Sequence, residues 1–177
     1  MSEDRCRHCR YCETVLKPCM HISVQMSHKY FVDFITQGNE NIAEEIFSDE
    51  CVHLDVVWDP AHPSVGTKAL KQYLHDLKTT FPDFQVDIDE IATCDANGSL
   101  WVSYEGNATG LGEWKHQLKA SHHSSHFTGV NLFKFNDDRT KIVEVRVYRS
   151  AFAEDKEEIK EMVPGGNFRE LRLRRLA

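Results

Sequence analysis

No stretch of about 18 consecutive apolar residues occurs anywhere in this 177-residue chain, so no transmembrane helix is expected. The first thirty residues start Met1-Ser2-Glu3-Asp4-Arg5-Cys6 and hold no apolar segment of the kind a secretory signal needs. The expected location is therefore cytoplasmic, with reduced thiols. Excess positive charge is lacking as well: 28 acidic residues face 21 basic ones, for a net charge of −7. That balance argues against a general nucleic-acid-binding role. Neither nucleic acid nor membrane is an expected partner. Internal repeats are missing too. What remains is an ordinary globular composition, 41% hydrophobic and 28% charged, with a length suited to one domain.

The charge is unevenly spread. Residues 1–22 carry four basic and three acidic side chains, and residues 164–177 carry four Arg and one Glu, which leaves −11 for residues 23–163. Residues 1–22 show neither a helical nor an alternating period and read as a flexible Cys-rich leader. The body is expected over 23–162, followed by a mobile tail over 163–177 with four Arg.

Four cysteines of the leader fall as Cys6-x-x-Cys9-x-x-Cys12-x₆-Cys19, a spacing that thiolate ligands can use. Neither two separated Cys-x-x-Cys knuckles nor a full ferredoxin run is present, so the expectation is reduced thiols and no metal. Cys51 and Cys94 lie inside patterned segments and read as small buried hydrophobes.

The body starts with helices. Phe31, Phe34 and Ile35 share a face over Val24–Gln37, and Gly38 is a suitable stop. A short helix follows, with Ile42, Ile46 and Phe47 on one side. Residues Cys51–Trp58 are β-rich and end at Asp59-Pro60. The clearest helix runs over 67–80, with Thr67 as N-cap and Leu70, Tyr73, Leu74 and Leu77 at spacings of three and four. From Phe84 to Ser150 the pattern is strand, with turns at Asp95–Gly98 and Asn136–Arg139. A short charged helix is expected over 154–161. Helices followed by a strand meander predict an α+β fold: a cone-shaped, curved antiparallel sheet packed against N-terminal helices. The mouth of such a cone is a natural ligand pocket.

The runs His53…Gly66-Thr67-Lys68-Ala69-Leu70, Phe81-Pro82-Asp83-Phe84, Gly129-Val130-Asn131-Leu132-Phe133-Lys134-Phe135 and Lys141-Ile142-Val143-Glu144 occur in that order. Together they resemble the SnoaL-like polyketide cyclases of the nuclear transport factor 2-like superfamily, over roughly residues 24–152. The resemblance implies an α+β cone, a cavity between sheet and helices, and dimerisation through the sheet. It also implies either cofactor-free cyclase, isomerase, hydrolase or dehydratase chemistry, or ligand binding without catalysis. His53 matches the family's histidine on the first strand, and Tyr104 falls where relatives carry Trp. Gly110 stands in place of the family's second histidine. Ser150 occupies the position of the acid/base Asp.

Several side chains are candidates for chemistry. His53 and Asp55 alternate onto one face of the first strand, where a carboxylate can set a histidine's tautomer. Glu144, Arg146, Tyr148 and Ser150 alternate onto one face of the last strand. If that face lines the cavity it offers acid/base groups; otherwise Glu144 and Arg146 form a structural pair on the dimer side. His122 and His126, read as part of a strand, stand about 13 Å apart, too far to share a metal. His123 with His53 could approach, but no motif fixes a metal site.

Two functions fit these residues. The first is a cofactor-independent lyase, isomerase or cyclase acting on a small hydrophobic carbonyl compound. There His53, Asp55, Glu144 and Tyr148 would carry the proton transfers, and Trp58, Tyr104, His123, Asn131, Phe133 and Arg146 would contact the substrate. The second is a non-enzymatic ligand-binding or scaffold module with the same cavity. Convergence of the polar groups on one point discriminates between them. No cofactor is expected; the expected partners are a small hydrophobic ligand and a second copy of the chain.

Overall fold

In the computed structural model, residues 18–57, 59–94, 98–114 and 120–150 are described. The leader before Pro18, the turn at 95–97, Trp58, the tail and the helix expected over 154–161 lie outside the described residues. The chain enters through an α-helix, α1 (Pro18–His28), which runs straight into a π-helix over Lys29–Thr36. The sequence predicts an α-helix there. The wider winding, closed by Gln37 N–H donating to the Val32 carbonyl at 2.9 Å, turns Tyr30, Phe31, Phe34 and Ile35 inward together. Gly38, at φ +71°, ends the helix.

A single 3₁₀ turn (Glu40–Ile42) and a short helix, α2 (Ala43–Ile46), lead to strand β1 (Phe47–Asp55). A two-residue strand, β2 (Ser64–Val65), then opens helix α3 (Gly66–Thr80). Thr67 is not the cap of this helix. Val65 holds that position without a side-chain hydrogen bond. Gly66, at φ +80°, makes the turn instead, and a Cβ there would meet the Asp49 carbonyl at 2.8 Å. Four long strands complete the chain: β3 (Gln85–Cys94), β4 (Ser99–Thr109), β5 (Ser124–Phe135) and β6 (Ile142–Arg149).

The strands form one curved, unclosed sheet in the order β2-β1-β6-β5-β4-β3. Register irregularities between Ile88 and Glu90, and between Lys134 and Phe135, contribute to its bend. As expected, β3, β4, β5 and β6 pair antiparallel over residues 84–150, while β1 joins β6 in parallel, which makes the whole sheet mixed. The reason is topological. The chain crosses over after β1, and the last strand returns beside β1 in the same direction, with His53 opposite Val145 and Asp55 opposite Val147.

One face of the sheet is buried under the π-helix and α3. That inner face carries Cys51, His53 and Asp55 from β1, and Val145, Val147 and Arg149 from β6. From β5 and β4 it carries Phe127, Asn131, Phe133, Val102 and Tyr104. The helices meet it with aromatic side chains: the Tyr30 ring lies 5.1 Å from Phe133, and the Phe31 ring 5.0 Å from Tyr104. Edge-to-face and tilted contacts of this kind give both buried area and a defined geometry. No described helix is long and apolar enough to cross a membrane.

Candidate functional site

Between the π-helix, α3 and the inner face of the sheet lies a small cavity. Tyr30, Tyr73, Tyr104, Asn131 and Arg149 form its polar wall, and Phe31, Ile35, Leu77 and Phe84 face them. Its free volume is ≈ 20 Å³, room for about one water-sized group as the side chains stand. Anything larger enters only by moving them.

Tyr30 sits in the first turn of the π-helix, and its hydroxyl lies 2.9 Å from His53 Nε2. The His53 ring also lies 4.4 Å from the Tyr73 ring of α3, tilted by 48°, and only 1% of His53 is exposed. A bare Nε2 accepts the Tyr30 hydroxyl hydrogen, whereas an Nε2–H, in the other neutral tautomer or in the imidazolium, donates to the phenol oxygen and frees the phenol hydrogen for a ligand. Burial pushes the Tyr30 phenol well above its ordinary pKa, and the neighbouring Tyr73 and Tyr104 push the same way. Burial raises Tyr73 and Tyr104 too, against the pull of Arg149. All three are therefore neutral hydroxyls near pH 7, suited to donating hydrogen bonds to a carbonyl oxygen.

Arg149 and Asp55 form a buried ion pair on the same face, each side chain 2% exposed. The other Asp55 oxygen accepts the Val57 N–H at 3.3 Å. The guanidinium also lies 5.9 Å from the centre of the Phe84 ring, a cation–π contact. Burial opposes the arginine's charge, but Asp55 together with Tyr73 and Tyr104 outweighs it and Arg149 stays protonated. Asp55, with one oxygen on the backbone and the other on Arg149, is held as a counter-ion.

The structure brings His53 and Asp55 onto one face, with Tyr104 and Asn131 at the cavity wall. Phe133 stands on the same face, against Tyr30 and Phe31, as support behind the cavity. It does not bring Glu144, Arg146 or Tyr148 to that point. These three, with Ser150, share the opposite, outer face of the sheet, because Val145 and Val147 take the inward phase of β6. Glu144 there accepts hydrogen bonds from Arg146 and, at 2.8 Å, from Lys134. The Tyr148 ring lies 6.1 Å from Trp101. His123 is exposed in the loop before β5, so the expected strand alternation over 121–126 starts only at Ser124. His126 pairs with Glu105 at 3.2 Å. Trp58 lies outside the described residues. Among the described residues no cluster of three His, Cys, Asp or Glu is placed to hold a metal.

Three contributors were not singled out from the sequence: Tyr30, Tyr73 and Arg149. Tyr73 is part of the apolar stripe of α3 and so reads as core, while Tyr30 stands outside the face that an α-helical spacing gives to Phe31, Phe34 and Ile35. Arg149 follows Val145 and Val147 in phase, which is the signal that would have found it.

A mixed sheet bent over helices, with a small cavity that is apolar on one side and hydroxyl-rich on the other, defines an α+β cone fold. The chain belongs to the SnoaL-like polyketide cyclase family, whose model matches residues 25–153. Solved structures share the fold. A SnoaL-like protein from Jannaschia sp. CCS1 superposes with a TM-score of 0.66 at 14% identity, covering 77% of this chain and 91% of that one. Another, from Shewanella denitrificans OS-217, gives 0.62 at 15% identity, with 83% and 100% covered. PrhC from Penicillium brasilianum gives 0.60 at 12% identity, with 81% and 88% covered. Among curated proteins, none matches.

Proposed function

We propose that the cavity takes a small hydrophobic carbonyl compound and that the protein moves protons on it without a cofactor, as a lyase, isomerase or cyclase. The observation that carries this reading is the Tyr30–His53 hydrogen bond of 2.9 Å, which sets an imidazole behind a hydroxyl of the cavity's polar wall. Tyr30 would give its hydroxyl proton to the carbonyl oxygen and regain one from His53 behind it, while solvent takes the proton from the neighbouring carbon and returns one to His53, the side chain that titrates nearest neutrality. Asp55 would act by fixing Arg149 at the cavity wall through their buried ion pair.

A substrate-independent test is exchange of the protons next to the carbonyl of 2-tetralone in D₂O, followed by NMR. The protein should accelerate exchange over buffer, and His53→Gln should return it to background while leaving 2-tetralone binding within a few-fold. A specific feature favours the alternative, a binding module without catalysis: both Asp55 oxygens are already engaged, so Asp55 is not free to act as a base. Under that reading 2-tetralone binds and exchange never exceeds buffer.

The outer face is the proposed contact for a second copy. Trp101 and Val130 stand 38% and 37% exposed beside Leu132 and Tyr148. Sedimentation of the wild type should give a dimer and Trp101→Glu a monomer. A monomeric wild type rules this contact out.

A further inference from the structure

Asn131 stands on the inner face of β5 between Val102 of β4 and Val147 of β6, so its cross-strand neighbours are apolar on both sides. It is 1% exposed, its amide lines the cavity, and its Oδ1 is buried without a hydrogen-bond partner. Buried carbonyl oxygens are almost always satisfied, because leaving one bare forfeits the bonds it made to water. A side chain placed this way has its partner supplied by what the cavity binds. Oδ1 is an acceptor, so that partner must donate a hydrogen.

The charge of the site narrows the class further. The cationic group of the wall, Arg149, is matched by Asp55 in a buried ion pair. A neutral ligand keeps that balance, whereas a carboxylate would add a buried charge against an already neutralised arginine. The body of the ligand meets Phe31, Ile35, Leu77 and Phe84. Resting on the cavity reading proposed above, we infer that Asn131 is a specificity-determining residue that selects an uncharged hydrophobic ligand bearing a hydroxyl, phenolic or enolic, at its polar end. An enol of the carbonyl compound meets that description; its keto tautomer offers Asn131 no donor.

The test uses three probes of nearly one size: phenol, which donates; anisole, which only accepts; and benzoate, which is charged. Affinities are measured by NMR titration, with the methyl resonances of Leu77, Val86 and Val147 reporting that binding occurs in the cavity. Phenol should bind at least tenfold more tightly than anisole or benzoate, and Asn131→Leu should reduce that preference to threefold or less. Equal binding of phenol and anisole, tightest binding of benzoate, or a phenol preference that survives Asn131→Leu would each overturn the assignment while leaving the cavity reading intact. Absence of cavity shifts with every probe would overturn both. The phenol–anisole comparison needs only the wild-type protein, so a poorly folding variant does not rescue the idea.

Discussion

Arg149 and Asp55 tie together strands that meet only through the fold: the first long strand and the last, 94 residues apart, joined by a buried ion pair across the parallel β1–β6 ladder. Removing one partner leaves the other charged and buried. Asp55→Asn should therefore lower unfolding free energy by about 3–5 kcal/mol. The double variant Asp55→Leu/Arg149→Met should recover most of that loss, because an apolar pair carries no desolvation cost. Urea unfolding of the three proteins checks this. A single variant within 1 kcal/mol of wild type, an effect no larger than that of an exposed pair, would mean the pair is solvated.

Gly129 lies directly opposite Tyr104, and a Cβ at 129 would sit 2.5 Å from the phenol oxygen and ring. Gly129→Ala should displace the ring from the cavity wall and cost about 1–3 kcal/mol, the usual penalty of overpacking. Adding Tyr104→Leu should return part of the stability. Thermal unfolding of the single and double variants reads both effects, and additivity of the two losses would show that the residues do not touch.

Acid should weaken the protein through two identified carboxylates. Burial would push the Glu144 carboxyl up, but hydrogen bonds from Lys134 and Arg146 outweigh it and hold it below the ordinary range. Asp83 is likewise held down, against its own partial burial, by the Thr109 hydroxyl and N–H at 2.6 and 2.7 Å. A native pKa below the unfolded one means the stabilisation is present above about pH 4.3 and fades as pH drops through the native values. Glu144→Gln should cost about 0.2–1 kcal/mol at pH 7, since its cations are partly exposed. Denaturation curves of Glu144→Gln and Asp83→Asn from pH 7 to pH 3 should converge on wild type at the acid end. Parallel curves would exclude these groups.

Cys51 is fully buried on β1, and burial, with Glu144 nearby, pushes its thiol up to about 12. The thiolate is the reactive form. Iodoacetamide at pH 8 should leave the Cys51 peptide unmodified in the native protein and alkylate it in urea, as read by mass spectrometry. Native labelling as fast as in urea would place Cys51 at the surface.

Element order and the inward residues of α3 were legible because Leu70, Tyr73, Leu74 and Leu77 repeat at helical spacing over a full-length helix. His53 and Asp55 were legible as a pair because two residues apart on a strand means one face. The last strand misled for a physical reason. Glu144, Arg146 and Tyr148 are its polar phase, and chemistry was sought where polar residues are. A sheet covered on one side turns its apolar phase inward, so Val145 and Val147 carried Arg149 to the cavity instead. The parallel β1–β6 pairing was hidden because both strands look alike in sequence, and direction is set by the crossover between them.

The π-helix over Lys29–Thr36 has a consequence for comparing this chain with its relatives. Its hydrogen bonds skip one residue more per turn than those of an α-helix, so the segment holds a residue for which an α-helical counterpart has no place. Counting positions straight across it shifts the frame by one. Beside a relative whose helix is α throughout, an alignment anchored at Gly38 and carried upstream without a gap would set the neighbouring residue, and not the true equivalent, against Tyr30.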